Sequence, residues 1–223
     1  MSAADDDLAR LLAMDLHVGE DDWQPTPHGR FLVAVLARYN LVAEKDVLEL
    51  GAGAANQTIV MVRQGARRVV ATEIDEAALA TTRANVERNC PGSDVVEYRV
   101  ADWLATEGDF DVVVTNPPFA KSGKRNRRYF IDSLILDAHK RLRPGGDLVF
   151  IQSSMADIAK TLRRLAENGY HAGVLAETSG PFRDYYFEDE AFMAEIQHVP
   201  DGFQIVDGTY MEKLFVVRAR LSG

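Results

Sequence analysis

Asn116-Pro117-Pro118-Phe119 holds residue types that suit chemistry on a planar nitrogen. Such a nitrogen, conjugated to an aromatic ring, an amide or a guanidine, delocalises its lone pair and is a poor nucleophile. The Asn116 side-chain oxygen and the Pro117 carbonyl both accept hydrogen bonds from an NH₂ group, which fixes the nitrogen and favours a pyramidal geometry with an available lone pair. Two prolines stiffen the loop, so the acceptors are preorganised. Phe119 offers a face on which a planar group stacks. The bland alternative is a rigid turn that closes a buried strand. Upstream, Gly51-Ala52-Gly53-Ala54-Ala55-Asn56 has glycines where a strand turns sharply into a helix and a ligand approaches the backbone. Asn56 occupies the place of the third glycine of the dinucleotide fingerprint, which counts against NAD. Glu73 follows about 20 residues later, where an acid takes hydrogen bonds from both ribose hydroxyls. Val100-Ala101-Asp102-Trp103 then offers an acid and an aromatic for an adenine ring. Each acid alone reads as a solvated strand end; together, at successive strand ends, they read as a nucleoside site.

Short β-branched runs deliver these residues: Asp46–Leu50, Arg68–Glu73, Val95–Val100, Phe110–Thr115, Asp147–Gln152, Val174–Thr178 and Leu214–Leu221. Helical spacing of apolar residues fills Glu76–Asn89, Arg128–Leu142 and Ala156–Asn168, with breaks such as Pro144-Gly145-Gly146. Alternation of this kind predicts an α/β fold with right-handed crossovers and a mostly parallel sheet covered on both faces. Ligands of such sheets bind beyond the carboxyl ends of the strands. Residues 1–45 are read as an N-terminal helical cap or extension, with Leu8, Leu11, Leu12 and Leu16 on one helix face, followed by the turn-rich Trp23-Gln24-Pro25-Thr26-Pro27. This helix either packs over the sheet edge or forms a substrate cap or dimer contact. Residues 46–223 form the main domain. A stretch at about 179–212, rich in aromatics and acids, is expected to be an ordered lid.

Glu49-Leu50-Gly51-Ala52-Gly53, Glu73, Asp102 and Asn116-Pro117-Pro118-Phe119 resemble the class I S-adenosylmethionine-dependent methyltransferases, specifically the small-methyltransferase-domain group with an Asn-Pro-Pro-Phe/Tyr motif. The resemblance covers roughly residues 25–178 plus the final strand. It implies a Rossmann-like, doubly wound seven-stranded sheet of order 3-2-1-4-5-7-6 with the last strand antiparallel. The implied cofactor is S-adenosyl-L-methionine, leaving S-adenosyl-L-homocysteine as product. By that resemblance Glu49 sits near the methionine amino group, Gly51 and Gly53 admit the cofactor, and Glu73 holds the ribose. Asp102 would bond the adenine amino group, Trp103 would flank the ring, and Asn116 would border both cofactor and acceptor. Glu73 stands where aspartate is commoner, so Asp75 is an alternative ribose ligand. Asn116, Pro117 and Phe119 would then serve catalysis, by positioning the attacking nitrogen.

The acceptor is read from the charges around the motif. The chain of 223 residues carries a net charge of −9, which argues weakly against affinity built on phosphate neutralisation. Lys121-Ser122-Gly123-Lys124-Arg125-Asn126-Arg127-Arg128 is nevertheless a dense basic run beside the motif. It reads as a phosphate contact, a solvated loop, or a partner for the acidic lid. The lid residues Tyr185, Tyr186, Glu188 and Glu190, with Phe119, Lys121 and Arg125, are the candidate acceptor contacts, and the two glutamates are candidate bases. The favoured acceptor is an amide, guanidino or aromatic-amine nitrogen of a small molecule or peptide. The alternatives are an RNA or DNA base (adenine N6 or guanine N2), a protein glutamine (N5), and a catalytically inactive cofactor-binding partner module. His17, His28, His139, His171 and His198 lack ligand spacing and are read as solvated or core residues, so no metal is expected. Cys90, the one cysteine, excludes an intramolecular disulfide. No signal-peptide or membrane-spanning stretch is seen, so a cytoplasmic monomer or homodimer is expected.

Overall fold

The computed structural model describes residues 3–19, 24–119 and 127–223. Helices α1 (Ala3–Leu12) and α2 (Pro27–Tyr39) precede β1 (Asp46–Leu50), α3 (Asn56–Arg63), β2 (Arg68–Glu73), α4 (Glu76–Asn89), β3 (Val96–Val100) and β4 (Phe110–Thr115). Then come α5 (Tyr129–Asp137), β5 (Leu142–Ser153), α6 (Ile158–Glu167), β6 (Tyr170–Pro181), α7 (Glu190–Ile196), β7 (Gln204–Val206) and β8 (Thr209–Leu221). The sheet order is β3-β2-β1-β4-β5-β8-β6, and β8 runs antiparallel to both neighbours. This is the expected order and expected antiparallel last strand. One short strand is additional: β7 pairs with β8, from Gln204 with Met211 to Val206 with Thr209.

Alternation along the strands divides the core into two layers. Val47, Val112 and Val149 pack with Leu32, Leu36 and Val60 from α2 and α3 on one face. Leu48, Leu50, Val113, Leu148 and Phe150 pack with Ile131, Leu134 and Leu165 from α5 and α6 on the other. Helix α2, expected within the N-terminal extension, therefore helps to cover one face of the sheet. Thr26 caps it through a 3.1 Å bond to the Gly29 N–H, with Pro27 starting the helix. Leu8, Leu11 and Leu12 pack on the same layer, while Leu16 lies beyond the helix, against the Ile59–Val86 cluster.

Strand lengths differ from expectation where glycine and polar residues hid them. Pro144-Gly145-Gly146, expected as a break, lies inside β5, and the register against β4 shifts between Phe110 and Val112 to absorb it. Strands β6 and β8 extend well past Val174–Thr178 and Leu214–Leu221 as a long hairpin, because cross-strand pairing as far as Pro181–Met211 outweighs local polarity.

At the sheet end away from the glycine turn, Asp46 and Asp111 share Arg67 and Arg143, with contacts of 2.7–3.2 Å. Hydrogen bonding from Arg67, aided by Arg143, lowers the Asp46 carboxyl from 3.8 to about 2. A carboxyl depressed on folding adds stability above its ordinary pKa and loses it as pH falls through the depressed value. Asp46→Asn is therefore expected to lower Tm by about 2–4 °C at neutral pH, allowing for solvent screening. Thermal melts from pH 7 down to about 2 check this, and a gap between the two proteins that persists at the lowest pH excludes the ionic origin.

Candidate active site

A cavity of about 320 Å³ opens beyond the carboxyl ends of β1, β2, β3 and β4. Its floor is the turn after β1. Gly51 and Gly53 have φ of +72° and +53°, and a Cβ at either would meet no protein atom within 4 Å, so it would fill open space at the wall. The Gly51 and Ala52 N–H groups donate to the Thr72 carbonyl at 3.1 and 3.0 Å, which pins the turn to β2. The Gly53 N–H donates to Glu73 Oε1 at 2.5 Å, and the Ile74 N–H donates to Oε2 at 3.3 Å.

Glu73 thus stands on the wall with both oxygens oriented by backbone donors and with lone pairs left over. Burial raises its pKa, against those two bonds. Asp75 is not on the wall; it caps α4 by accepting from the Ala78 N–H at 2.9 Å. Glu49 is also absent from the wall. It is 1 % exposed, accepts a bond from Thr58 Oγ1, and has a buried Oε1 with no partner. Burial, with a contribution from the Glu73 charge, pushes its carboxyl up to about 8.

Asp102 and Trp103 line the far side. Trp103 adopts the left-handed region at φ +52°, costly for a bulky residue, and is fixed there by an Nε1 bond to Ser133 Oγ at 2.7 Å and by edge contact with Phe130 at 4.8 Å. Asn116, Pro117, Pro118 and Phe119 form the opposite wall. The Asn116 amide has no hydrogen-bond partner among the described residues, and a Cβ on Gly29 would come within 3.4 Å of its Nδ2. Helix α2 therefore begins directly against Asn116.

Matching residues 27–179, the family model that fits this sequence is the methyltransferase small domain. The chain belongs to that family. S-adenosylmethionine is thereby implied as the methyl donor. The chain is 27% identical to a candidate protein N5-glutamine methyltransferase of Methanocaldococcus jannaschii, over 68% of this chain and 84% of that one. It is 31% identical to a tRNA1(Val) (adenine(37)-N6)-methyltransferase of Phocaeicola vulgatus, over 43% of this chain and only 37% of the relative. A crystal structure of a candidate RNA methyltransferase of Pyrococcus horikoshii superposes over the full length of both chains with a TM-score of 0.64, at 14% identity, and shows the shared fold.

The segment expected as a lid, 179–212, contributes Arg183 and Tyr186 to the lining of this methyltransferase cavity. Phe182, Tyr186, Phe192 and Ile196 pack on Met155 as a separate aromatic cluster, and Phe119 meets Phe192 edge-on at 5.8 Å. Ser154 Oγ, just after β5, donates to the Gly202 carbonyl at 2.6 Å and ties this segment to the sheet. Of the lid residues expected at the acceptor, Tyr186 lines the cavity and is 1 % exposed. Tyr185 packs on the lid cluster, while Glu188 and Glu190 are exposed and off the wall. Lys121 and Arg125 lie outside the described residues. The two described arginines of the basic run are held within the fold. Arg127 pairs with Glu195 of α7 and donates to the Met155 carbonyl at 2.8 Å. Arg128 is buried, bonding Thr161 at 3.0 Å and Asp132 at 3.0 Å. The reading of this run as a partner for the acidic lid thus holds at Arg127.

Three wall or near-wall residues had no site role in the sequence reading: His28, read there as a solvated or core residue, Arg183 and Glu212. His28 is buried at the start of α2, its Nδ1 contacting Arg183 and its Nε2 lying 3.6 Å from Glu212 Oε2. Tyr186 donates to Glu212 Oε1 at 3.3 Å, and burial beside the Glu212 charge raises the Tyr186 pKa. Among the described residues no cluster of three or more His, Cys, Asp or Glu could hold a metal ion, and no helix is long and apolar enough to cross a membrane.

Proposed function

We propose that this chain is an S-adenosylmethionine-dependent N-methyltransferase whose acceptor is a planar nitrogen of a small molecule or peptide. The reading is carried by one observation: Asn116, with an unpartnered amide, faces the same cavity as Gly51, Gly53 and Glu73. Glu73 would hold the ribose hydroxyls, the glycine turn would admit the cofactor, and Asp102 with Trp103 would flank the adenine. Bound S-adenosylmethionine supplies an electrophilic methyl sulfonium. Asn116 Oδ1 and the Pro117 carbonyl would hold the NH₂, orient its lone pair and take up the hydrogen-bonding change as the nitrogen loses its planarity. The nitrogen proton would leave to solvent, since Glu188 and Glu190 stand off the wall. The lid over 179–212 would choose the acceptor.

A second reading, a nucleobase nitrogen, is favoured by the relative that modifies tRNA adenine. It is weakened by Arg127 and Arg128, whose charges are engaged within the protein. Transfer of labelled methyl from S-adenosylmethionine into fractionated lysate tests both. Label is expected in the protein or small-molecule fraction. Label confined to RNA or DNA supports the second reading, and titration that shows cofactor binding with no transfer to any fraction identifies an inactive cofactor-binding module.

A further inference from the structure

The acceptor end of the cavity holds a cation where a cationic substrate would have to lie. Arg183 lines the cavity together with Asn116, Phe119 and Tyr186. Its guanidinium lies 5.7 and 5.9 Å from the ring centres of Tyr185 and Tyr186. Nη1 donates to the Tyr185 hydroxyl at 2.8 Å, and Nη2 contacts His28 Nδ1. Arginine only donates, so His28 Nδ1 is the acceptor, and a neutral imidazole then carries its hydrogen on Nε2, towards Glu212. These contacts use two of the five guanidinium N–H donors, and Nε has no partner among the described residues.

The two ends of the acceptor site therefore offer opposite chemistry. Asn116 brings a side-chain acceptor, and Arg183 brings unspent donors and a positive charge. His28 and Gly29 connect the two through one helical turn: His28 holds Arg183, and Gly29 lies against Asn116. A primary carboxamide complements both ends, with its NH₂ on Asn116 and its carbonyl oxygen on Arg183. A guanidinium has donors only, so it would leave the Arg183 donors unpaired and set two positive charges side by side.

Resting on the N-methyltransferase reading above, we propose that Arg183 is the specificity-determining residue of this site: it accepts a carboxamide by donating to the oxygen beside the reacting nitrogen and rejects cationic guanidino acceptors. His28 and Glu212 act as positioning residues behind it. Capped glutamine, capped arginine and adenosine, each with labelled S-adenosylmethionine, are the probes. The wild-type protein is expected to prefer capped glutamine over capped arginine by at least about tenfold in kcat/KM, the cost of one unmade charged hydrogen bond. Arg183→Met should raise KM for capped glutamine by about tenfold and narrow the gap, with cofactor affinity retained. Arg183→Lys should still reject capped arginine while losing KM for capped glutamine, which separates charge from fork geometry. A wild-type preference for capped arginine or adenosine, or a glutamine-to-arginine ratio unchanged in Arg183→Met, overturns the proposal. Cofactor binding without transfer to any of the three, and with no label entering any lysate fraction, overturns the N-methyltransferase reading instead, whereas label entering lysate protein or small molecules but none of the three overturns the carboxamide proposal alone.

Discussion

Asn116→Ala should reduce methyl transfer on the order of a hundredfold or more while leaving S-adenosylmethionine affinity within about twofold. The expected asymmetry follows from what the side chain does and does not touch. Among the described residues its amide makes no hydrogen bond, and it is partly exposed at the cavity wall, so truncation leaves no orphaned partner in the fold. Surface-like truncations of this kind usually shift stability by about 0.5 kcal/mol or less, so Tm should hold. The loss falls instead on the transition state. Without Asn116 Oδ1, only the Pro117 carbonyl remains to fix the NH₂, and the nitrogen returns to its planar, delocalised form. Removing one preorganised partner of a developing charge typically costs about 3 kcal/mol. Titration with S-adenosylmethionine and a single-turnover assay measure the two quantities separately. A collapse of cofactor binding, with turnover per bound cofactor unchanged, would remove Asn116 from the chemistry.

The parts of this site that were legible in the sequence are those a single strand end announces. Gly51, Gly53, Glu73, Asp102, Trp103 and Asn116 each end a parallel strand or lie in the turn just after one, and doubly wound topology brings such positions to one cleft. Even so, type and position did not settle direction: Glu49 is on the same stretch as Gly51, yet strand alternation turns its side chain to Thr58. The rest was illegible because it arises from pairing distant segments. His28 and Arg183 stand 155 positions apart, and Tyr186 and Glu212 stand 26 apart. His28 sits in an apolar helix and Glu212 just before a β-branched run, and neither position carries a local signal beyond an ordinary core or surface residue. Glu188 and Glu190, the acids expected at the acceptor, are exposed and off the wall, whereas the acid of this region that touches wall residues is the buried Glu212, which meets His28 and Tyr186. Neither the alternation that predicted a mostly parallel sheet nor the resemblance that implied its strand order said how far β6 and β8 would run beyond it. Their extra length carries the pairing on to Pro181 and Met211, beyond the last β5 partner at Leu214, and Arg183, just after it, reaches the cavity wall.

Glu73→Ala is expected to weaken S-adenosylmethionine binding by a factor of tens, the reverse emphasis from Asn116→Ala. A carboxylate that accepts from both ribose hydroxyls contributes charge-assisted bonds, each worth about 1.5–3 kcal/mol, and a net loss of about 2 kcal/mol is a factor of about 30 in affinity. Part of the effect is indirect. Glu73 also accepts the Gly53 N–H at 2.5 Å and so holds the glycine turn in its left-handed conformation. Losing that bond should lower stability by about 1 kcal/mol even without cofactor. Glu73→Gln separates the two contributions, because the amide oxygen can still accept from Gly53 while the charge and one acceptor are gone. It should recover most of the apo stability and only part of the affinity. At saturating cofactor the single-turnover rate of both variants should approach that of the wild type, since neither removes the contacts to the acceptor nitrogen. Apo melts, cofactor titrations and saturated turnover therefore give three independent readings of one carboxylate. Unchanged affinity in Glu73→Ala would transfer the ribose role to Asp75, which would have to leave its cap on the Ala78 N–H to take it up. That exchange would itself show as a loss of α4 helix stability on cofactor binding, the opposite of the stabilisation that a bound ligand brings to a preformed site.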